Sequence, residues 1–462
     1  MRSSTRSALV LALGSLAVAC SSPSDVGDQT SAPLEPCIPV DQAADERASC
    51  SFGPGALVEE TVGQCATGTG KVHIPVEHIV LLMQENRSFD HYLGELDKFY
   101  PDADVAPKDA SNPNASGTGD VPYHKLEDYC FIDTPHSWTA SHKQWNEGKQ
   151  DGFAQAAAHD GDFLPDPEGT RAMGYYGVDD IPFAYQLAST FATSDSFFCD
   201  VMGPTWPNRM YFYSGSSFGV TTNAPAPRGT KPIWDLLDEH GITWRIYRSN
   251  LLTAAMFLDW AFEHQEDDRI RPASQFAIDA ANGDLAQVNW VDPVFSRDGA
   301  LETSEHPPAV MQIGQKWLYD QVQTVMRSPL WPKTAMFITY DEHGGLYDHV
   351  PPPPACPPDD IAPVSGGEYG GFDKYGFRVP IYVISPFSKA HHLSHKTYSN
   401  ASILRFVQVT FGLPALTRRD ANADPMLDMF DFENPPFLTP PKLDEPPIDQ
   451  AKLDVCKQLF PK

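Results

Sequence analysis

The chain has 462 residues, 41% of them hydrophobic, and carries 33 Lys and Arg against 61 Asp and Glu for a formal net charge of −28. Phosphate backbones require clustered cations, so this balance excludes nucleic acid as a partner and weighs against strongly anionic membranes. The length and apolar content suit one large domain with a substantial core.

Arg2 and Arg6 precede an apolar run over 8–19 that is too short to cross a bilayer and reads as a secretory signal over residues 1–19. Ala17, Val18 and Ala19 before Cys20 satisfy small-residue cleavage and also approximate a bacterial lipobox, with alanine where leucine is commoner. Two readings follow: a lipidated Cys20 that anchors the chain to an outer membrane or cell surface, or plain periplasmic release or secretion. Residues 20–70, rich in Ser, Pro, Gly, Ala and acids, predict a flexible tether. Eight cysteines suit an oxidising compartment. Setting Cys20 aside leaves an odd set, so at least one is free or paired elsewhere, and no spacing suggests a structural zinc.

From residue 71 short apolar strands alternate with helical patterns. The first strand, 78–83 (HIVLLM), empties into Gln84, Glu85, Asn86, Arg87, Ser88, Phe89, Asp90 and His91. At 203–209 (GPTWPNR) two prolines and a glycine predict a shaped loop in which Thr205 offers a hydroxyl and Arg209 a fork for a phosphate or sulfate oxygen. A helix over 232–240, a strand over 242–247 and a helix over 314–326 follow.

Residues 334–350 (TAMFITYDEHGGLYDHV) are the most informative stretch, an apolar strand ending abruptly in acids, histidines and paired glycines. Asp341, Glu342 and His343 are costly to bury unless they hold a metal, a substrate or one another. A strand ending in a solvated turn is the alternative, and the added His343, Gly344, Gly345, Asp348 and His349 weigh against it. The proline-rich run over 350–363 can be neither helix nor central strand and is placed to wall a site. A strand over 379–385, a helix over 402–411 and a Pro-rich extension over 426–462 complete the chain. Asp420, Asn422 and Asp424 mimic a calcium loop, but Pro425 replaces its turn glycine, and the segment reads as a solvated acidic linker.

The alternation predicts an α/β fold with a mostly parallel central sheet flanked by helices, the catalytic domain running over 71–425. Ligands gather at the carboxyl ends of strands in such sheets, so the two acid-discharging strands would bring Glu85, Asn86, Asp341 and Glu342 together. Three carboxylates and an amide oxygen suit a fairly hard divalent cation.

The segments MQENRSFDHYLG, GPTWPNRMY and YDEHGGLYDHV occur in the same order in a phosphoesterase family of bacterial phosphatidylcholine-type phospholipases C, plant non-specific phospholipases C and certain acid phosphatases, which this chain resembles over about 74–425. That family belongs to the alkaline phosphatase-like superfamily, which implies a three-layer fold. The resemblance implies that Glu85, Asn86, Asp341 and Glu342 bind one or more divalent ions (Ca, Mg, Mn or Zn) and that Thr205 is a nucleophile that also touches the metal. It implies His136, His306, His343 and His349 as polar partners able to bind phosphoryl oxygens or protonate a leaving group. Thr205, Pro207 and Arg209 also match the spacing of sulfatases, yet threonine cannot form their aldehyde, which favours phosphate esters. The chain departs from the family at Ser399 and Asn400, where Asp-His is usual, and this puts headgroup preference in doubt. The implied activity is an exported phospholipase C, with a soluble-phosphomonoester phosphatase and a non-catalytic surface lipoprotein as alternatives; zwitterionic lipid and small phosphoesters are both compatible with the charge. The Pro-rich end implies the short form without further C-terminal sandwich domains.

Overall fold

The computed structural model describes residues 37–65, 72–295 and 299–461; the signal segment and Cys20 lie outside them. Its centre is an eight-stranded sheet built from β1 (His78–Gln84), β2 (Ala192–Ser194), β3 (Trp244–Arg248), β4 (Ile270–Pro272), β5 (Val288–Val291), β6 (Thr334–Tyr340), β7 (Ile381–Ile384) and β8 (His392–Ser394), in the order β8-β2-β7-β6-β1-β5-β3-β4. Only β7 runs antiparallel to its neighbours β6 and β2; the other pairs are parallel. All of β6, and β1 from Ile79 onward, is buried. Successive strand side chains point to opposite faces, so both faces of the sheet are covered, which makes the three layers.

The helices used below are α1 (Phe89–Leu93), α2 (Trp138–Trp145), α3 (Thr205–Ser214), α4 (Ile233–Glu239), α5 (Met311–Arg327), α6 (Asn400–Phe411) and α7 (Gln450–Leu459). Phe337 of β6 meets Phe406 of α6 edge-on with ring centroids 4.9 Å apart. Phe337 and Phe406 are fully buried. Each such side chain contributes roughly 1.5–3 kcal/mol by burial. The sequence-derived helices at 232–240, 314–326 and 402–411 correspond to α4, α5 and α6, and the strands at 242–247 and 379–385 to β3 and β7.

Three expectations are corrected. The shaped loop at 203–209 ends early, because α3 begins at Thr205 and takes Pro207 into its first turn, where a missing N–H has no intrahelical partner to lose. Residues 37–65 are not a free tether: Val58 and Val62 enter the main core, Phe52 N donates to Asn422 Oδ1 at 3.1 Å, and Cys37–Cys65 and Cys50–Cys356 staple the segment. Composition misled there because disulfides replace the apolar mass that a small segment lacks. Asp420 is buried rather than solvated; its carboxylate accepts Gln408 Nε2, Leu416 N and Thr417 N at 2.7 Å each.

The C-terminal extension packs on the domain. Leu443 and Leu453 are buried, Trp331 Nε1 donates to Phe437 O at 2.8 Å, and Cys456 of α7 is bonded to Cys130. Cys50–Cys356 and Cys130–Cys456 span 306 and 326 residues. Loops that long make each bridge worth on the order of 5 kcal/mol in chain entropy. Cys199 is the free, buried thiol among the described residues. No helix among the described residues is long and apolar enough to cross a membrane.

Candidate active site

Strand register builds the site. Parallel pairing sets Gln84, the last residue of β1, opposite Tyr340, the last of β6, so Glu85 and Asp341 leave the sheet side by side. Asp341 N donates to Gln84 O at 3.1 Å, and Asp341 Oδ1 accepts Asn86 N at 3.1 Å and Glu342 N at 2.8 Å. Asn86 has φ 62°, a left-handed conformation that asparagine tolerates. Gly344 and Gly345 are needed for close approach: a Cβ would stand 2.4 Å from Asn86 O at the first and 2.5 Å from Pro135 O at the second. Both have positive φ, 65° and 72°.

Arg209 departs from its expected role. It is only 2% exposed, with Nη2 donating to Met83 O at 3.2 Å and to Glu85 Oε1 at 3.3 Å, and Nε lying 3.4 Å from Asp341 Oδ2. Its guanidinium face lies over Phe295, 5.2 Å from the ring centre. The guanidinium lies beneath the carboxylates as their counter-charge, hydrogen-bonding through Nη2 alone, because burying three acids at two strand ends demands a cation.

The remaining oxygens fit a metal. Among the described residues Asn86 Oδ1, Asp341 Oδ2 and Glu342 Oε1 are buried without a hydrogen-bond partner, Asp341 Oδ2 having only the longer ion pair to Arg209. Buried polar atoms are almost always satisfied, so three orphan oxygens from neighbouring residues, with Glu85 beside them, have the donor chemistry of a divalent-cation site. Burial pushes the carboxyls of Glu85 and, further, Glu342 above their ordinary range, the adjoining Asp341 adding to the effect in both. A bound cation would relieve that penalty.

The histidines divide. His136 donates from Nδ1 to Thr134 O at 2.7 Å and sets Nε2 3.4 Å from Asn86 Nδ2 and 3.7 Å from Glu342 Oε1. Burial lowers its affinity for a proton, but Glu342 and then Asp133 outweigh that and raise it to about 9. His306 stands edge-on to His136, ring centres 6.0 Å apart, with Nε2 3.9 Å from Asp133 Oδ2. His343 is fully buried against Phe377, its Nε2 paired with Gln144 Oε1 at 2.8 Å and its Nδ1 3.3 Å from Glu342 Oε2. Burial first, then His136, holds its pKa well below the ordinary value, so it is a neutral ring that donates from Nε2 to Gln144 and turns an unbonded Nδ1 toward Glu342.

His349 does not join the cluster. After the double-glycine turn the chain runs back along α1, where Ser88 Oγ donates to Tyr347 O at 2.7 Å, and His349 Nδ1 meets Asp90 Oδ2 at 2.7 Å. Arg378 occupies the centre of this second group, donating to Asp348 Oδ1 at 2.9 Å and Asp90 Oδ1 at 3.1 Å. That guanidinium supplies the positive charge that balances the two buried carboxylates. Burial lowers the His349 pKa, but the hydrogen bond and charge of Asp90 outweigh it and raise it to about 9 from 6.5. Asp90 is lowered, burial being outweighed by Arg378 and His349. The histidine's contribution to stability is therefore full below about pH 6.5 and lost as pH rises through about 9, while that of Asp90 is lost only in acid. Between pH 7 and 10 the wild-type chain is expected to lose on the order of 2 kcal/mol more unfolding free energy than His349→Gln, measured by urea denaturation. Equal slopes for the two proteins would refute the pairing.

Thr205 opens α3 and is 9% exposed. One turn later, at i+4, Arg209 reaches Glu85 and Asp341, so Thr205 shares the helix face turned to the acids. Sequence reasoning missed Asn208, whose side chain accepts Asp200 N and Val201 N at 2.9 Å and donates to Gly203 O at 3.1 Å and Pro204 O at 3.2 Å. It pins the loop that aims Thr205, and its only signal was an asparagine inside a GPTWPNR block. Asp133 was missed as well. Ser399 Oγ donates to Asp200 Oδ1 at 2.9 Å and caps α6, so the departure at Ser399 and Asn400 lies behind this loop.

Beside His136 and Pro204, the residue before Thr205, lies a cavity of about 600 Å³ whose lining also includes Asp133, Thr221, Ser365 and Glu368; the buried acids at the strand ends do not line it. The wall expected from 350–363 is thus supplied by the residues that follow, 365–368.

A mostly parallel α/β sheet whose adjacent strand ends gather buried carboxylates, with Arg209 of a threonine-opened helix reaching two of them, suits a class, the hydrolases of phosphoric esters. The chain belongs to the Phosphoesterase family, whose model matches residues 76–414. It is 33% identical over 446 residues to phospholipase C B of Mycobacterium tuberculosis, covering 83% of this chain and 82% of that protein. It is 31% identical over 392 residues to non-specific phospholipase C1 of Arabidopsis thaliana, covering 79% and 73%. Among solved structures, a protein in the alkaline phosphatase superfamily from Vibrio parahaemolyticus is similar at 12% identity over 82% of this chain and 76% of that one, with a TM-score of 0.39.

Proposed function

We propose that this chain is an exported, metal-dependent phospholipase C-like phosphoesterase that cleaves the phosphate ester through Thr205. The observation that carries the reading is the meeting of Glu85, Asn86, Asp341 and Glu342 at two adjacent strand ends, with orphan oxygens on three of them. These four residues would hold the divalent ion, which supplies Lewis-acid charge and a lowered hydroxyl pKa when bound. Thr205 Oγ1 attacks phosphorus, its proton passing to solvent or a neighbouring base, and the bond to the leaving alcohol breaks. Water then cleaves the phospho-threonine and restores the hydroxyl. His136, 3.7 Å from Glu342, and His306 beside it would balance charge on the phosphoryl oxygens, and His343 would pack as a neutral ring behind Glu342.

Phospholipid as substrate rests on the names of the relatives at 31–33% identity. Export is supported by the signal-like N-terminus and by three disulfides. Anchoring through a lipidated Cys20 is the membrane-attached form of that reading. The test is hydrolysis of phosphatidylcholine, a soluble phosphodiester and p-nitrophenyl phosphate by the chain from Ser21 onward, before and after chelation. Diacylglycerol release that chelator abolishes and Mn, Mg, Ca or Zn restores is the expected outcome. Phosphate released from the monoester alone would make it a phosphatase, and no hydrolysis with any of these metals would overturn the enzymatic role.

A further inference from the structure

The loop that walls the cavity also carries apolar side chains into solvent. Ile361 is 48% exposed and Val364 is 69% exposed. Ser365, Gly366 and Glu368, which follow at once, line the cavity beside His136 and Pro204. The loop is firmly held. Val364 N donates to Gly219 O at 2.8 Å, Thr221 Oγ1 to Ser365 O at 3.1 Å and Trp138 Nε1 to Gly366 O at 3.0 Å, while Cys356 at its base is bonded to Cys50. Ile361 and Val364 are therefore displayed in water by a fixed backbone near a cavity of mixed polar and apolar lining.

A phospholipid whose phosphate met Thr205, next to Pro204 on this cavity's lining, would send its acyl chains out through the cavity mouth, so a lipid surface would be brought against this rim. Asp359 and Glu368 flank the apolar pair, Asp360 being paired with Arg418 at 3.3 Å, and with a net charge of −28 they disfavour an anionic surface. We infer that residues 361–364 form a docking edge that enters the outer layer of a zwitterionic phospholipid surface and presents a headgroup to the cavity. The inference rests on the phospholipid reading above and names the surface on which that substrate is met.

The test is co-sedimentation of the full chain with phosphatidylcholine vesicles in chelator, so that binding is read without turnover. Ile361→Ser with Val364→Ser is expected to weaken partitioning about tenfold, and replacing part of the phosphatidylcholine by phosphatidylglycerol to weaken wild-type binding several-fold. Val364→Trp is expected to bind more tightly and to shift its added emission to the blue on phosphatidylcholine vesicles, a readout that needs a folded protein. The ratio of hydrolysis on vesicles to hydrolysis of dispersed short-chain phosphatidylcholine should fall at least about fivefold in the double variant. Unchanged partitioning with no blue shift would overturn the inference, as would a wild-type dimer that the double variant splits into monomers. Because binding is measured in chelator, a chain that binds vesicles through this edge but hydrolyses only a soluble monoester would retain the docking edge and lose the phospholipase reading.

Discussion

Thr205→Ala is expected to lower kcat on phosphate esters by at least about a thousandfold while leaving the fold intact. Thr205 is the first residue of α3, after the N-cap Pro204, so it does not occupy the capping position and its truncation should change stability by less than about 1 kcal/mol. Asn208, not Thr205, holds the preceding loop, which keeps the vacated position in its native geometry. Thr205→Ser retains an oxygen at the same place and should keep a measurable fraction of the activity. Acid-quenched wild-type enzyme, digested and analysed by mass spectrometry, should carry phosphate on Thr205. If the alanine variant kept more than about a tenth of the wild-type kcat, water would be the direct nucleophile and the threonine mechanism would fall.

Asp341→Asn should be nearly as damaging, and for two separable reasons. The substitution removes a charged donor from the proposed metal set, which is expected to weaken divalent-ion binding by about two to three orders of magnitude, read by calorimetric titration of the chelated protein. It also alters a buried ion pair, since Asp341 Oδ2 lies 3.4 Å from Arg209 Nε, and Glu85 is then the remaining carboxylate on that guanidinium. Breaking a pair buried this deeply costs about 3–5 kcal/mol when one charge is stranded, and Glu85 should reduce the loss toward the lower figure. The amide oxygen that replaces Asp341 Oδ1 in this variant would still accept Asn86 N and Glu342 N, so local backbone geometry should survive. Glu342→Gln separates the two effects, because the ion pairs of Arg209 run to Glu85 and Asp341, and the orphan Oε1 of Glu342 is altered without disturbing them. Metal affinity should fall in both variants, and thermal stability mainly in Asp341→Asn. Full metal binding by both would remove the proposed metal site.

Much of the fold was legible because its signals are local. Apolar runs of strand length over 78–83 and 334–340 end in acids, and no helix or exposed strand has a use for that pattern. Helices at 314–326 and 402–411 announce themselves by apolar spacing. The start of α3 was missed because prolines punctuate a chain equally well as loop residues and as first-turn residues. The region 37–65 was missed because its order comes from sulfur atoms whose partners lie up to 306 residues away.

The sequence by itself determined the composition of the site: three carboxylates, an amide, a threonine and a set of histidines in motifs whose order points to phosphate ester chemistry. It could not say which of these groups face substrate. Arg209, read as a phosphate clamp, lies under the carboxylates, and His349 is drawn away to Asp90 and Arg378. Both outcomes depend on which buried charges find each other, and that is decided by strand register and by a turn that only paired glycines can make. Electrostatic energy in a low-dielectric interior varies steeply with distance, so residue identity fixes the available charges while tertiary structure alone fixes their partners.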